Sequence, residues 1–197
     1  MFTKTQIKIM QIFVSKINER FSIKEISEIL KKPYPLIHRS TTDLLKQNFI
    51  SKDNKGFISL NYKENLMDLA YIESTRKNEF LKKYKTLFLF TKDVLENYQN
   101  PFFIFLIFGS SIEKKNFNDI DILFIVNDKE NITETERFLE NISSNFTMKF
   151  DINVISTKSS KEMLNKREKI NVLNETLNNH VLIFGAENYY NLLKNDR

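Results

Sequence analysis

The chain has 197 residues, 41% hydrophobic and 28% charged, enough to bury real cores in one large domain or two small ones. It contains no cysteine, which excludes a disulfide framework, a thiolate metal site and a cysteine nucleophile, and sets the expectation of a cytoplasmic protein. The net charge of +5 is concentrated: residues 1–62 carry 11 Lys/Arg against 5 Asp/Glu, whereas residues 63–197 carry 19 against 20. Such asymmetry points to a polyanion-binding module joined to something else, with a merely Lys-rich composition as the plainer explanation.

The start, Met1-Phe-Thr-Lys-Thr-Gln6, has no signal-peptide apolar stretch, and the longest apolar run, Phe102–Phe108, is far too short to span a bilayer, so no membrane association is expected.

A first helix is predicted from about Thr5 to Asn18, with Ile7, Met10, Phe13, Val14 and Ile17 on one face. Ser22 and Glu25 have capping-box spacing for a second helix that buries Ile26, Ile29 and Leu30. Lys31-Lys-Pro-Tyr-Pro35 interrupts the pattern, and a third helix follows to about Gln47, burying Ile37, Leu44 and Leu45. Phe49–Lys52 and Phe57–Leu60, separated by the turn Asp53-Asn-Lys-Gly56, read as a β-hairpin.

Residues 64–99 read as one long or broken helix, with an apolar stripe that includes Leu69, Ile72, Phe80, Leu87, Phe88 and Val94. The stripe is core or a homodimer seam. Phe102–Phe108 and Ile120–Val126 are predicted strands, the first buried on both faces. A helix from Thr133 to Ser144, capped by Thr133 with Glu136, precedes a third strand, Met148–Ile155, in which Phe150, Ile152 and Val154 alternate with Asp151 and Asn153. Helices recur around Lys161–Arg167, Asn171–Asn179 and Glu187–Lys194, and the apolar run Val181–Phe184 ends at Gly185.

Chemistry concentrates in Phe105-Leu-Ile-Phe-Gly109-Ser110 and Asp119-Ile-Asp121. Asp119 and Asp121 lie two apart on a strand, so both carboxylates project to one face. Like charges on so apolar a strand call for a cation, and magnesium, which takes oxygen ligands and bridges carboxylates to phosphates, is the natural one. Gly109 closes a buried strand where backbone N–H groups can approach an anion, and the Ser110 hydroxyl adds a donor. Asp151 is a third carboxylate and would be a neighbour if the strands pair. Lys114 and Lys115 read either as phosphate contacts or as plain surface lysines, and His180 reads as structural.

Two resemblances follow. Ile23-x-x-Ile26-x-x-Ile29-Leu30, a polar-faced helix, and Leu44-Leu-Lys-Gln-Asn-Phe49-Ile50 resemble the winged helix-turn-helix superfamily over Phe21–Leu60. That resemblance implies double-stranded DNA as a partner, with His38, Arg39, Ser40, Thr41 and Thr42 entering a major groove and Lys52 and Lys55 meeting phosphates. Gly109-Ser110, a spacer, Asp119-x-Asp121 and the later Asp151 resemble the DNA polymerase β-like nucleotidyltransferases, especially the minimal members, over roughly Pro101–Leu193. The spacer is shorter than in typical members and lacks their glycine, and Asn118 stands where a serine is usual.

The second resemblance implies that Asp119, Asp121 and Asp151 hold two Mg2+ ions, that Asp151 helps deprotonate the attacking group, and that Gly109 and Ser110 hold the phosphates of ATP or another nucleoside triphosphate. Transfer of a nucleoside monophosphate to a protein or RNA acceptor is then expected; one precedent in the family is an antitoxin that adenylylates a HEPN-type toxin. The alternative is a DNA-binding transcriptional regulator whose second domain is a nucleotide sensor or dimerisation scaffold. The expected fold class is α/β (α+β): a winged helix over 1–62, a helical linker over 63–100, and a mixed sheet flanked by helices over 101–197.

Overall fold

The computed structural model describes residues 1–113, 119–165 and 171–194. Helix α1 (Lys4–Ser15) starts at Thr3, where the Thr3 hydroxyl accepts from the Gln6 amide and the Gln6 side chain accepts from the Thr3 amide, satisfying two first-turn donors. Helix α2 (Ile23–Leu30) carries the same reciprocal cap on Ser22 and Glu25, as its spacing predicts. Helix α3 (Tyr34–Lys46) follows Pro33. Strands β1 (Ile50–Lys52) and β2 (Ile58–Leu60) pair antiparallel, and Phe21 bridges to Ile58. The Asp53 carboxylate accepts from the Lys55 and Phe57 amides, both at 2.9 Å, and shapes the hairpin turn.

Phe13, Phe21, Ile26, Ile37, Leu44, Ile50 and Ile58 fill the centre of this unit. Ile29 does not join them. It is 51% exposed, because α2 has only two turns and packs through Ile26, leaving Ile29 on the outer flank.

The expected helix over 64–99 is broken. Helix α4 (Leu66–Leu81) and helix α5 (Lys85–Asn97) meet at Lys82–Tyr84 without a glycine or proline. The amides of Lys83 and Tyr84 bond back three residues, tightening the last turn, and Tyr84 leaves the helical conformation as the residue that caps α5. The break lets Phe80 and Leu81 from one helix and Leu87, Phe90 and Val94 from the other enter a single core, while Phe88 is left 49% exposed.

A mixed four-stranded sheet has the order β5-β4-β3-β6, formed by β3 (Phe103–Phe108), β4 (Asp119–Val126), β5 (Lys149–Ser156) and β6 (His180–Phe184). β3 runs antiparallel to β4 and β6, and β4 runs parallel to β5. Helix α6 (Ser110–Glu113) follows β3, and α7 (Ile132–Ser143) makes the crossover from β4 to β5. Helices α8 (Thr157–Leu164), α9 (Val172–Thr176) and α10 (Ala186–Lys194) complete the described residues. The cap of α7 is Asn131, whose side chain accepts from the Glu134 amide, so the helix begins before the predicted Thr133.

Both faces of the sheet are covered, which explains why β3 and β4 read as apolar runs with little alternation. Ile104, Leu106, Leu123, Ile125 and Leu182 point into a core shared with α1, α4 and α10. Phe103, Phe105, Ile107, Ile122, Phe124 and Ile183 point into the core under α5 and α7. The first core is continuous with that of the N-terminal unit. The Ile17 amide donates to the Leu177 carbonyl at 2.9 Å, and the Asn18 amide to the Asn178 side chain at 3.0 Å.

Strand β6 lies at an edge, and α4 covers it. Arg76 donates to the His180 carbonyl, and Lys77 donates to the Ile183 carbonyl at 3.2 Å. Carbonyls that could template another strand are thereby occupied by side chains of the same chain. Among the described residues no helix is long and apolar enough to cross a membrane.

Candidate active site

The site forms where β3 ends. Gly109 has φ +73°, a left-handed conformation that turns the chain from β3 into α6. The antiparallel register sets Phe108 opposite Asp121, so the Gly109 backbone lies against that carboxylate. A Cβ on Gly109 would stand 2.1 Å from Asp121 Oδ2. The glycine is therefore required twice, by its dihedral and by its neighbour.

Asp119 and Asp121 lie on one face of β4 and are both half-buried. Asp151 of β5 is level with Asp121 in the parallel register, and it is exposed. Directly paired residues of neighbouring strands share a face, so the three carboxylates line one end of the sheet. Burial raises the pKa of Asp121 above the usual aspartate value, and the charges of Asp119, Asp151 and Glu175 raise it further. Yet no group of three acidic or imidazole side chains among the described residues is gathered closely enough to hold a metal ion. The expected metal set Asp119, Asp121 and Asp151 is aligned but not closed. The strands fix their direction, and mutual repulsion opposes closer approach.

Ser110 opens α6 and is half-buried. Its neighbour Ser111 is fully buried and donates to the Phe108 carbonyl at 3.2 Å, which ties the turn to the end of β3. Lys114, Lys115 and Asn118 lie outside the described residues, as does Arg167 at the end of a predicted helix.

Two residues near the site escape sequence reasoning. Glu175 of α9 contributes to the field at Asp121, and Asn179 donates its side-chain amide to the Gly109 carbonyl at 3.1 Å. Nothing in their local sequence marks them. They arrive because β6 pairs with β3 in the register Phe108↔His180.

His180 is wholly buried and has a structural place, as expected. Its Nδ1 meets the Thr176 carbonyl, and its Nε2 stands 3.6 Å from the Glu73 carboxylate. Glu73 also pairs with Arg76 at 3.3 Å and accepts from the Tyr190 hydroxyl at 2.8 Å.

The residues expected to meet DNA divide into two groups. His38 and Arg39 are exposed on α3, Thr42 is half-buried and donates to the His38 carbonyl at 2.8 Å, and Lys52 and Lys55 are exposed in the hairpin. Ser40 and Thr41 are 7% and 0% exposed. Thr41 donates to the Ile37 carbonyl at 2.9 Å. These two cannot reach a groove. Positions 37, 40, 41 and 44 share the helical face that packs inward, a spacing that was available from the sequence. Tyr34, 49% exposed and with its ring 6.0 Å from that of His38, lies on the same open face of α3.

Comparisons with protein-family models, with curated proteins and with solved structures each returned no match.

Proposed function

We propose that the chain is a magnesium-dependent nucleotidyltransferase that moves a nucleoside monophosphate, AMP from ATP, onto a macromolecular acceptor, and that residues 1–62 form a winged helix that binds double-stranded DNA. The observation that carries the reading is the level alignment of Asp121 with Asp151, beside Asp119 and under the Gly109 turn. The donors are hard oxygens with one carboxylate already penalised for its charge, which suits a hard divalent cation.

Asp119, Asp121 and Asp151 would hold two Mg2+ ions. Magnesium there supplies neutralisation of the charge on phosphoryl oxygens. Asp151, the most open of the three, would take the proton of the acceptor hydroxyl. The hydroxyl oxygen then bonds to the α-phosphorus as the bond to the bridging oxygen breaks, and pyrophosphate leaves. The Ser110 N–H and hydroxyl, at the exit of the Gly109 turn, would donate to the phosphate oxygens. The acceptor is taken to be a protein or RNA, since the helices after residue 100 among the described residues serve to cover the sheet.

A second reading is favoured by the charge segregation. The chain would be a DNA-binding transcriptional regulator, with His38, Arg39, Thr42, Lys52 and Lys55 on its DNA face and the sheet domain as nucleotide sensor or dimerisation scaffold.

Calorimetric titration of ATP, then of each other nucleoside triphosphate, with magnesium into wild type and the Asp119→Ala/Asp121→Ala variant tests the site on which the enzyme reading rests. Metal-dependent binding that the variant loses, with DNA binding intact, supports a live site. Absence of binding by every triphosphate overturns the enzyme reading and leaves the regulator.

A further inference from the structure

The segment Leu177-Asn178-Asn179-His180 is tied on two sides. Leu177 and Asn178 accept the amides of Ile17 and Asn18 at the end of α1. Asn179 donates to the Gly109 carbonyl, and the His180 carbonyl accepts from Arg76 of α4. We propose that Asn179 is a positioning residue that sets the direction of the Ser110 N–H. This rests on the reading of Gly109-Ser110 as the phosphate-binding turn.

The argument follows from the planar peptide. In a trans peptide the carbonyl of one residue and the N–H of the next point in opposite directions, so fixing one fixes the other. The Gly109 carbonyl accepts from two donors, the Ile112 amide at 3.2 Å and Asn179 Nδ2 at 3.1 Å. The first belongs to the turn itself and moves with it. The second comes from 70 positions away and anchors the turn to β6. With the carbonyl so held, the Ser110 N–H, a first-turn amide of α6 with no partner inside its own helix, is aimed away from Asn179. A left-handed glycine has wide conformational freedom, and without this bond the peptide plane can rotate.

The test uses the full chain and the variants Asn179→Ala, Asn179→Asp and Asn179→Gln. Asn179→Asp keeps the shape but removes the donor, whereas Asn179→Gln keeps the amide. Hydrogen–deuterium exchange at residues 109–113 is read without any nucleotide. The expected result is faster exchange there in the Ala and Asp variants, unchanged exchange in β4, and recovery in the Gln variant. Titration with MgATP is then expected to show roughly tenfold weaker binding for Ala and Asp, again recovered by Gln. Wild-type exchange rates at 109–113 in the Ala and Asp variants would overturn the proposal, as would faster exchange throughout the chain. Failure of wild type to bind MgATP would instead remove the nucleotidyltransferase reading, and the exchange measurement would still decide the role of Asn179.

Discussion

Tyr190 of α10 donates its hydroxyl to the carboxylate of Glu73 in α4 at 2.8 Å, across 117 positions of sequence. Both residues are buried, Glu73 with 1% of its surface exposed. Burial opposes the charge on Glu73, but the His180 ring, the Arg76 guanidinium and the Tyr190 hydroxyl outweigh it and hold the carboxylate below its usual range. The cluster joins the helix that covers the edge of the sheet to the last described helix.

Glu73→Ala is expected to cost about 3–5 kcal/mol, because it leaves the nearly buried Arg76 guanidinium without its countercharge. Tyr190→Phe removes one charge-assisted bond and is expected to cost about 1.5–3 kcal/mol. Denaturant titration of both variants checks the order. The pH dependence has a defined sign. A depressed carboxylate pKa stabilises the fold above the ordinary glutamate value, and that contribution is lost as pH falls through the folded-state value. Wild type is therefore expected to lose stability in acid over that window, and Glu73→Gln to show a flatter profile there.

Asp121 has the opposite sign. Its pKa is raised by burial and by Asp119, Asp151 and Glu175, so the folded chain keeps a proton that the unfolded chain releases. Stability falls as pH rises from the ordinary aspartate value through the raised one. In metal-free buffer at neutral pH, Asp121→Asn is expected to raise the melting temperature while abolishing the proposed transfer, the usual exchange of stability for function at a charged site. Added magnesium is expected to stabilise wild type more than the variant. A variant that melts below wild type would show that the carboxylate is not under repulsion.

Gly109 and Gly185 form a matched pair. Both have positive φ, and a Cβ on Gly185 would stand 2.4 Å from the Phe103 carbonyl. Alanine at either position is expected to cost at least about 1–2 kcal/mol, measured by thermal or chemical melts. Only Gly109→Ala touches Asp121, so it alone is expected to weaken MgATP binding beyond its effect on stability. Equal binding by the two variants would detach Gly109 from the proposed nucleotide site.

On α3, Arg39→Ala is expected to weaken DNA binding and to reduce the slope of log K against log salt by about one. Thr41→Val is expected to leave DNA binding alone and to cost about 1 kcal/mol of stability, because its hydroxyl faces the helix backbone inside the core. Fluorescence anisotropy over a salt series, paired with melts, distinguishes them. A DNA effect from Thr41→Val would reverse the assignment of the two faces.

Local chemistry was enough for the cap of α2 by Ser22 and Glu25, the hairpin around Asp53–Gly56, strands β3 and β4, and the shared face of Asp119 and Asp121. Capping and strand alternation act within a few residues, so their signals lie in the text itself. The inward face of α3 was equally local, and reading Ser40 and Thr41 as groove residues overlooked the spacing 37, 40, 41 and 44. Strand order and register were a different matter. That β5 pairs parallel to β4 with Asp151 level with Asp121, and that β6 returns beside β3 to bring Asn179 onto Gly109, depends on pairings between distant segments. Glu73 shows the same limit. On a helix it reads as one more surface charge, and only the packing of α4 against β6 and α10 buries it and surrounds it with Arg76, His180 and Tyr190. Side-chain periodicity tells which face of an element is apolar, but the partner that covers the face is chosen by the whole chain.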